Sequence, residues 1–167
     1  KEMAYKDGLT NIYNHRYSQE SLEHEFLRAK RYQRSFSLIL LDVDDFKYIN
    51  DTYGHTVGDL VLINLARTLQ HSVRVTDNVA RYGGEEFAVI LPETDMEHAA
   101  VVAENIRSAV EELEITVDSY TIKLTVSLGI SSFDATRHKN RQAMVNMADK
   151  GLYMAKNGGK NRVCAVK

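Results

Sequence analysis

Asn78–Leu91, N-V-A-R-Y-G-G-E-E-F-A-V-I-L, holds two β-like runs, Asn78–Tyr82 and Glu86–Leu91, on either side of Gly83-Gly84. A glycine pair between such runs supplies positive φ for a tight hairpin, so the runs are expected to lie antiparallel. An antiparallel pair within an α/β chain rules out a purely parallel doubly wound sheet. The turn is also expected to thrust Glu85 outward beside Glu86. Two like charges following two glycines are locally unfavourable unless a cation or ligand offsets their repulsion.

Upstream, Phe36–Asp42 (F-S-L-I-L-L-D) is a nearly continuous apolar run ending in a carboxylate, the pattern of a strand buried on both faces with Asp42 at its C-terminal end. Before it, Ser18–Gln33 reads as an amphipathic helix with Ser18 as N-cap and Leu22, Phe26, Leu27 and Ala29 on one stripe. After Val43 the pattern predicts a short helix with Phe46 and Ile49 inward, stopped at Gly54, then a second helix over Gly58–Leu69 with Asp59 in its first turn. Asp95–Leu113 is a long helix after Pro92. Thr121–Phe133 reads as one strand, Arg141–Lys156 as a helix ending at Gly158-Gly159, and Arg162–Val166 as a final strand. The expected fold is α/β, a mixed central sheet flanked by helices, with a ferredoxin-like or polymerase-palm-like core.

The length of 167 residues fits one domain, and 44% hydrophobic with 26% charged residues is ordinary globular composition. A net charge of -2 argues against a broad basic face for nucleic acid, while leaving room for a small phosphate pocket. One cysteine, Cys164, forms no intrachain disulfide, and the histidines lack metal-ligand spacing, which suggests a reducing, cytoplasmic setting. No apolar run approaches a membrane span. The start at Lys1 rather than at a methionine suggests a piece of a longer protein, whose parent could be membrane-anchored.

Two acidic points stand out: Asp42 with Asp44 and Asp45 at a strand end, and Glu85 with Glu86 at the hairpin. If neighbouring strands bring them together, they form an oxygen-donor site of the kind Mg²⁺ takes, with waters left for phosphate oxygens to replace. An isolated D-x-D is more often merely solvated, so Asp42 alone decides little.

R-Y-G-G-E-E-F (Arg81–Phe87) resembles the signature of GGDEF-domain diguanylate cyclases, in the variant with glutamate third. The resemblance extends to Asp7–Arg16 (D-G-L-T-N-I-Y-N-H-R), Leu41–Asp59 (L-D-V-D-D-F-K-Y-I-N-D-T-Y-G-H-T-V-G-D), Val126–Ile130 (V-S-L-G-I) and Ala148–Val163 (A-D-K-G-L-Y-M-A-K-N-G-G-K-N-R-V). It spans essentially the whole chain, 1–167, read as a single catalytic domain, the C-terminal output part of a regulated protein with an N-terminal sensory or receiver domain.

The resemblance implies that two GTP molecules are condensed into cyclic di-GMP and two pyrophosphates across a homodimer of domains, with Mg²⁺ or Mn²⁺. It gives Asp42, Glu85 and the Val43 carbonyl to the metal, and Glu86 to metal binding or proton removal. Asn50 and Asp59 match guanine-reading positions, Phe46, Lys47, Gly83 and Gly84 the rest of the substrate site, and Lys156 and Lys160 the β- and γ-phosphate contacts. Lys160 stands where members often have arginine, which keeps charge but loses bidentate geometry. Arg74 and Asp77 (R-V-T-D) match the product-inhibitory site, although Asn105 replaces a second arginine there. Two other readings remain: a non-catalytic module binding GTP or cyclic di-GMP, and a cyclase of altered purine choice. Intact Asp42, Glu85 and Glu86 speak against the first, and Asp59 with Asn50 against the second.

Overall fold

The structure, a computed structural model, describes residues 2–166. After a 3-10 turn at Glu2–Tyr5 come α1 (His15–Tyr32), β1 (Phe36–Val43), α2 (Phe46–Tyr53), α3 (His55–His71), β2 (Asn78–Arg81) and β3 (Glu86–Pro92). Then follow α4 (Met96–Glu112), β4 (Ile115–Val117), β5 (Tyr120–Ile122), β6 (Val126–Ser132), α5 (Arg141–Asn157) and β7 (Val163–Ala165).

The main sheet has the order β2-β3-β1-β6-β7, with β7 parallel to β6 and the other pairs antiparallel. Without β7 this is the ferredoxin-like βαββαβ arrangement, so the mixed, helix-flanked sheet expected from the hairpin is the one observed. β1 occupies the centre, and its unbroken apolar run follows from burial on both faces. Leu38 and Leu40 pack with Ala88 and Ile90 against Phe26 of α1 and Ala148 and Leu152 of α5. Ile39 and Leu41 pack with Phe87 and Val89 against Leu65 of α3 and Ile106 of α4. Helices therefore cover both sides of one sheet. No described helix is long and apolar enough to cross a membrane.

Several boundaries differ from expectation. The N-cap of α1 is Asn14, whose side chain accepts from the Tyr17 amide, whereas Ser18 is buried inside the helix and donates to the His15 carbonyl at 2.6 Å. Leu27 is exposed, so the apolar stripe of α1 is narrower than the pattern suggested. α3 begins at His55, which moves Asp59 out of the first turn and away from a helix-dipole role. Thr121–Phe133 is two strands, β5 and β6, because Thr125 is drawn out of line to accept the Asp44 amide at 2.9 Å. β5 pairs instead with β4 in a small separate hairpin. The glycine pair also behaves differently: neither Gly83 nor Gly84 takes a positive φ. The Tyr82 and Gly83 amides both donate to the Glu86 carbonyl, at 2.7 and 3.0 Å, which closes a turn wider than a two-residue one.

Close contact of α5 with β6 requires glycine at Gly129. A Cβ there would lie 2.0 Å from the Ala148 carbonyl oxygen and 2.2 Å from the Leu152 nitrogen, both helix backbone. Gly129→Ala should therefore destabilise by about 3 kcal/mol or more, since backbone cannot step aside as a side-chain tip can. Gly8→Ala, which would meet nothing within 4 Å, should change stability by less than about 0.5 kcal/mol. Urea unfolding midpoints of the two variants check this.

Candidate active site

Strand register assembles the site. Asp42 pairs with Glu86 across β1 and β3, and the Val43 amide donates to the Glu85 carbonyl at 3.3 Å. Asp42 lies two residues beyond Leu40, and Glu86 two before Ala88, so both point to the α5 side of the sheet. The two acidic points that the sequence left apart thus meet at one sheet end.

α5 brings a lysine to them. Lys156 Nζ lies 3.3 Å from Asp42 and 2.8 Å from Asp44, and donates to the Val43 carbonyl at 3.2 Å. The sequence singled out Asp44 without giving it a role, and it proves to be the most enclosed carboxylate of the cluster. Its Oδ1 accepts from Lys156 Nζ and Ser127 Oγ, and its Oδ2 from Thr125 Oγ1 and the Asn161 amide, at 2.7 to 2.9 Å. Burial alone would raise its proton affinity, but these four donors outweigh it and hold Asp44 below the usual carboxylate range. The Asn161 side chain is fastened in turn by Arg107 and Glu111 of α4.

Glu85 and Glu86 show the opposite balance. Burial first, then the neighbouring Asp42, raise Glu85, with Lys156 opposing. Glu86 is pushed up to about 7 by burial, Asp42, Asp149 and Glu85, again against Lys156. Glu85 and Glu86 are half-buried. One lysine does not neutralise this group, so a further cation is electrostatically favoured. Among the described residues no three His, Cys, Asp or Glu side chains converge into a complete ligand set. The donors present are hard oxygens: Asp42, Glu85, Glu86 and the Val43 carbonyl. They suit Mg²⁺ or Mn²⁺, which accept a few carboxylates and complete their shell with water or phosphate. In this structure the Lys156 ammonium stands on two of those donors.

The glycine turn is held from behind. Arg81 donates to the Gly83 and Gly84 carbonyls, at 2.8 Å in the shortest case, and pairs with Asp7, which also binds Thr10. The D-G-L-T segment thereby braces the turn, a role its local pattern did not reveal. Since an added Cβ on Gly84 would meet nothing within 4 Å, neither φ nor internal crowding demands glycine there. What a side chain at Gly84 would fill is the open space on the outer side.

That space continues into a cleft of about 530 Å³ whose lining includes Gly84, Glu85, Phe46, Lys47, Asn50 and Asp59. Six residues assigned to metal or nucleotide thus share one cleft. Asn50 is placed by Gly58, where a Cβ would sit 1.9 Å from the Asn50 Oδ1. Lys47 pairs with Asp51 at 2.7 Å and Lys160 with Asp45 at 2.6 Å, both on the surface. Arg74 and Asp77 lie at the other end of the β2–β3 hairpin. There Arg74 binds the buried Asp77 at 3.1 Å, the Pro92 carbonyl and Thr94 Oγ1.

Comparison with known proteins accords with this geometry. The family described as "Diguanylate cyclase, GGDEF domain" matches residues 4–162. "Diguanylate cyclase A" of Treponema denticola is 39% identical over 169 residues, covering 99% of this chain but 45% of its own length. The chain therefore spans less than half of that relative. The GGDEF domain of DgcB from Caulobacter crescentus, solved in complex with c-di-GMP, superposes with a TM-score of 0.91 at 34% identity, covering 97% of this chain and 93% of that one. The active GGEEF domain of a diguanylate cyclase from Vibrio cholerae gives a TM-score of 0.85 at 35% identity, covering 90% and 95%.

Folded Glu86 binds its proton more tightly than the unfolded chain does. The metal-free protein should therefore lose stability as pH rises from 4.5 to about 7. Glu86→Gln should raise metal-free stability at pH 8 by about 1 kcal/mol, allowing for solvent screening of a half-exposed group, and leave it unchanged at pH 4. Thermal melts in chelator at the two pH values measure this. Added Mg²⁺ should stabilise the unsubstituted protein more than the variant.

Proposed function

The chain belongs to the GGDEF-domain diguanylate cyclase family, and from that premise we propose that it condenses two GTP molecules into cyclic di-GMP. Each domain binds one GTP, and two copies face each other. The 3′-hydroxyl of each ribose attacks the α-phosphorus of the other nucleotide. Each attack forms one P–O bond, breaks the bond to the β-phosphate bridging oxygen and releases pyrophosphate. The observation that carries this reading is the continuous cleft joining Asn50 and Asp59 to Gly84 and Glu85.

Asp59 accepts from N1–H and the exocyclic amine of guanine, a donor pair that adenine lacks. Asn50, held against Gly58, completes the edge, and Phe46 supplies apolar contact. Asp42, Glu85 and the Val43 carbonyl hold the divalent ion, with Glu86 completing its shell or receiving the hydroxyl proton. When bound, the ion polarises the α-phosphoryl group and offsets the charge of the departing pyrophosphate. Lys156, fixed by Asp44, presents its ammonium beside the phosphates, and Lys47 and Lys160 add charge at the rim. The open face of Gly83 and Gly84 leaves room for nucleotide against the turn. Positioning and electrostatics, rather than covalent chemistry, are the protein's contribution.

Incubation with Mg²⁺ and GTP, ATP or both, with products identified by mass, tests the reading. Cyclic di-GMP is expected from GTP, and its loss by at least about a hundredfold on Asp42→Ala or Glu86→Ala. An adenine product, or full activity in either variant, would contradict it. Gly58→Ala should displace Asn50 and raise the KM for GTP about tenfold, the scale of one lost hydrogen bond, with kcat nearly unchanged.

Arg74 and Asp77 form the product-inhibitory site in this reading. Arg74 lines a surface cavity with His98 and Val101 of α4, one turn before Asn105. Asn105→Arg should strengthen cyclic di-GMP inhibition about tenfold, by restoring one charged contact. Half-inhibitory product concentrations for the two proteins decide this.

A further inference from the structure

At the sheet end opposite the carboxylates, β7 stops early. It pairs with β6 only at Leu128, Gly129 and Ile130, so Ser131 and Ser132 have no β7 residue opposite them. A cavity of about 390 Å³ opens there, with Ser131, Phe133, His138, Met96, Met147 and Val166 in its lining. The seven-residue run of β1 to Val43 puts it about 20 Å from the carboxylate cluster.

Two side-chain atoms in this lining are unusual. Ser131 Oγ and His138 Nε2 are the buried side-chain polar atoms without a hydrogen-bond partner among the described residues. Ser131 is 2% and His138 5% exposed. His138 Nδ1 accepts from the Asp134 amide at 3.1 Å, which fixes the ring proton on Nε2 and leaves that N–H as an unused donor. Burial, then the charge of Arg137, hold the imidazole below its ordinary pKa, so it stays neutral at physiological pH. Buried polar groups are nearly always paired, and two unpaired ones in a single cavity lining mark a place where something binds.

The rest of the lining narrows the occupant. Phe133, Val166 and the two methionines are apolar, and unbranched methionine side chains are the part of the wall that can give. At the rim the exposed Arg137 is balanced by Asp95 and Asp134, which are already engaged by His98 and Thr136. The rim therefore selects neither sign of charge. The volume is at the small end of ligand cavities.

We propose that this cavity binds a small neutral molecule with an apolar body and one carbonyl-type acceptor, which takes up the unused donors of His138 and Ser131. The assignment is independent of the nucleotide reading.

The test uses the whole chain with isotope-labelled methionine methyls and backbone amides, titrated with acetophenone and with ethylbenzene. The probes share an apolar body, and only acetophenone carries the acceptor. Acetophenone should shift the Met96 and Met147 methyls and the Phe133 amide saturably, with a dissociation constant of about 1 mM or tighter. Ethylbenzene should bind at least about fivefold more weakly, the cost of leaving the donors unmade. In Ser131→Ala, a single-atom deletion that the fold should tolerate, the ratio between the probes should fall. His138→Phe should lower it further if that variant folds. Absence of saturable shifts at these signals, or equal affinity for both probes, assigns the cavity to water or to plain apolar packing and overturns the proposal.

Discussion

The active end of this molecule depends on one buried carboxylate. Asp44 closes both oxygens with four donors drawn from α5, β6 and the loop after α5, and does so just beyond the C-terminal end of the central strand. Its bond to Lys156 places the ammonium over Asp42 and the Val43 carbonyl. Its bond to the Asn161 amide pins a loop in which Gly159, Lys160 and Asn161 all have positive φ. Such backbone persists only where surrounding contacts over-determine it. Removing one partner of a buried charge pair leaves the other uncompensated, so this network is more costly to break than to have omitted.

A second feature is the charge imbalance beside it. Asp44 is saturated and held ionised, whereas Glu85 and Glu86 are crowded by Asp42 and by each other, with one lysine for relief. Identical chemistry in adjacent positions is thus driven in opposite directions by the number of donors each carboxylate meets. The frustrated pair is the one presented to the cleft, and the satisfied one is structural. That division is what a site awaiting cations and a triphosphate requires, and it is obtained at the expense of stability in their absence.

Much of this was legible in the sequence where the signal was local. The apolar run of β1, the paired runs around Gly83-Gly84 and the long amphipathic helices all appear where periodicity put them. So does the meeting of Asp42 with Glu86, because a hairpin next to a strand ending in carboxylates leaves few other arrangements. Asp44 was not legible, since its partners lie 81 to 117 residues downstream. Nor was the bracing of the turn by Asp7 through Arg81, 74 residues apart. The glycine turn was located correctly, but its conformation was not: two amides sharing the Glu86 carbonyl remove the need for positive φ. β4 and β5 have three residues each, too short for alternation to register. Asp59 shows how a boundary shift changes a role, because three residues added at the start of α3 turn a dipole partner into a cleft residue.

The cleft and carboxylates make half of a reaction, since one domain holds one nucleotide and the attacking hydroxyl comes from another. The most direct measurement is the initial rate of cyclic di-GMP formation over a hundredfold range of protein concentration in which the chain remains mainly monomeric. The account requires the rate to rise with the square of protein concentration. A rate strictly proportional to protein concentration would show that one chain completes the reaction alone, and would contradict it.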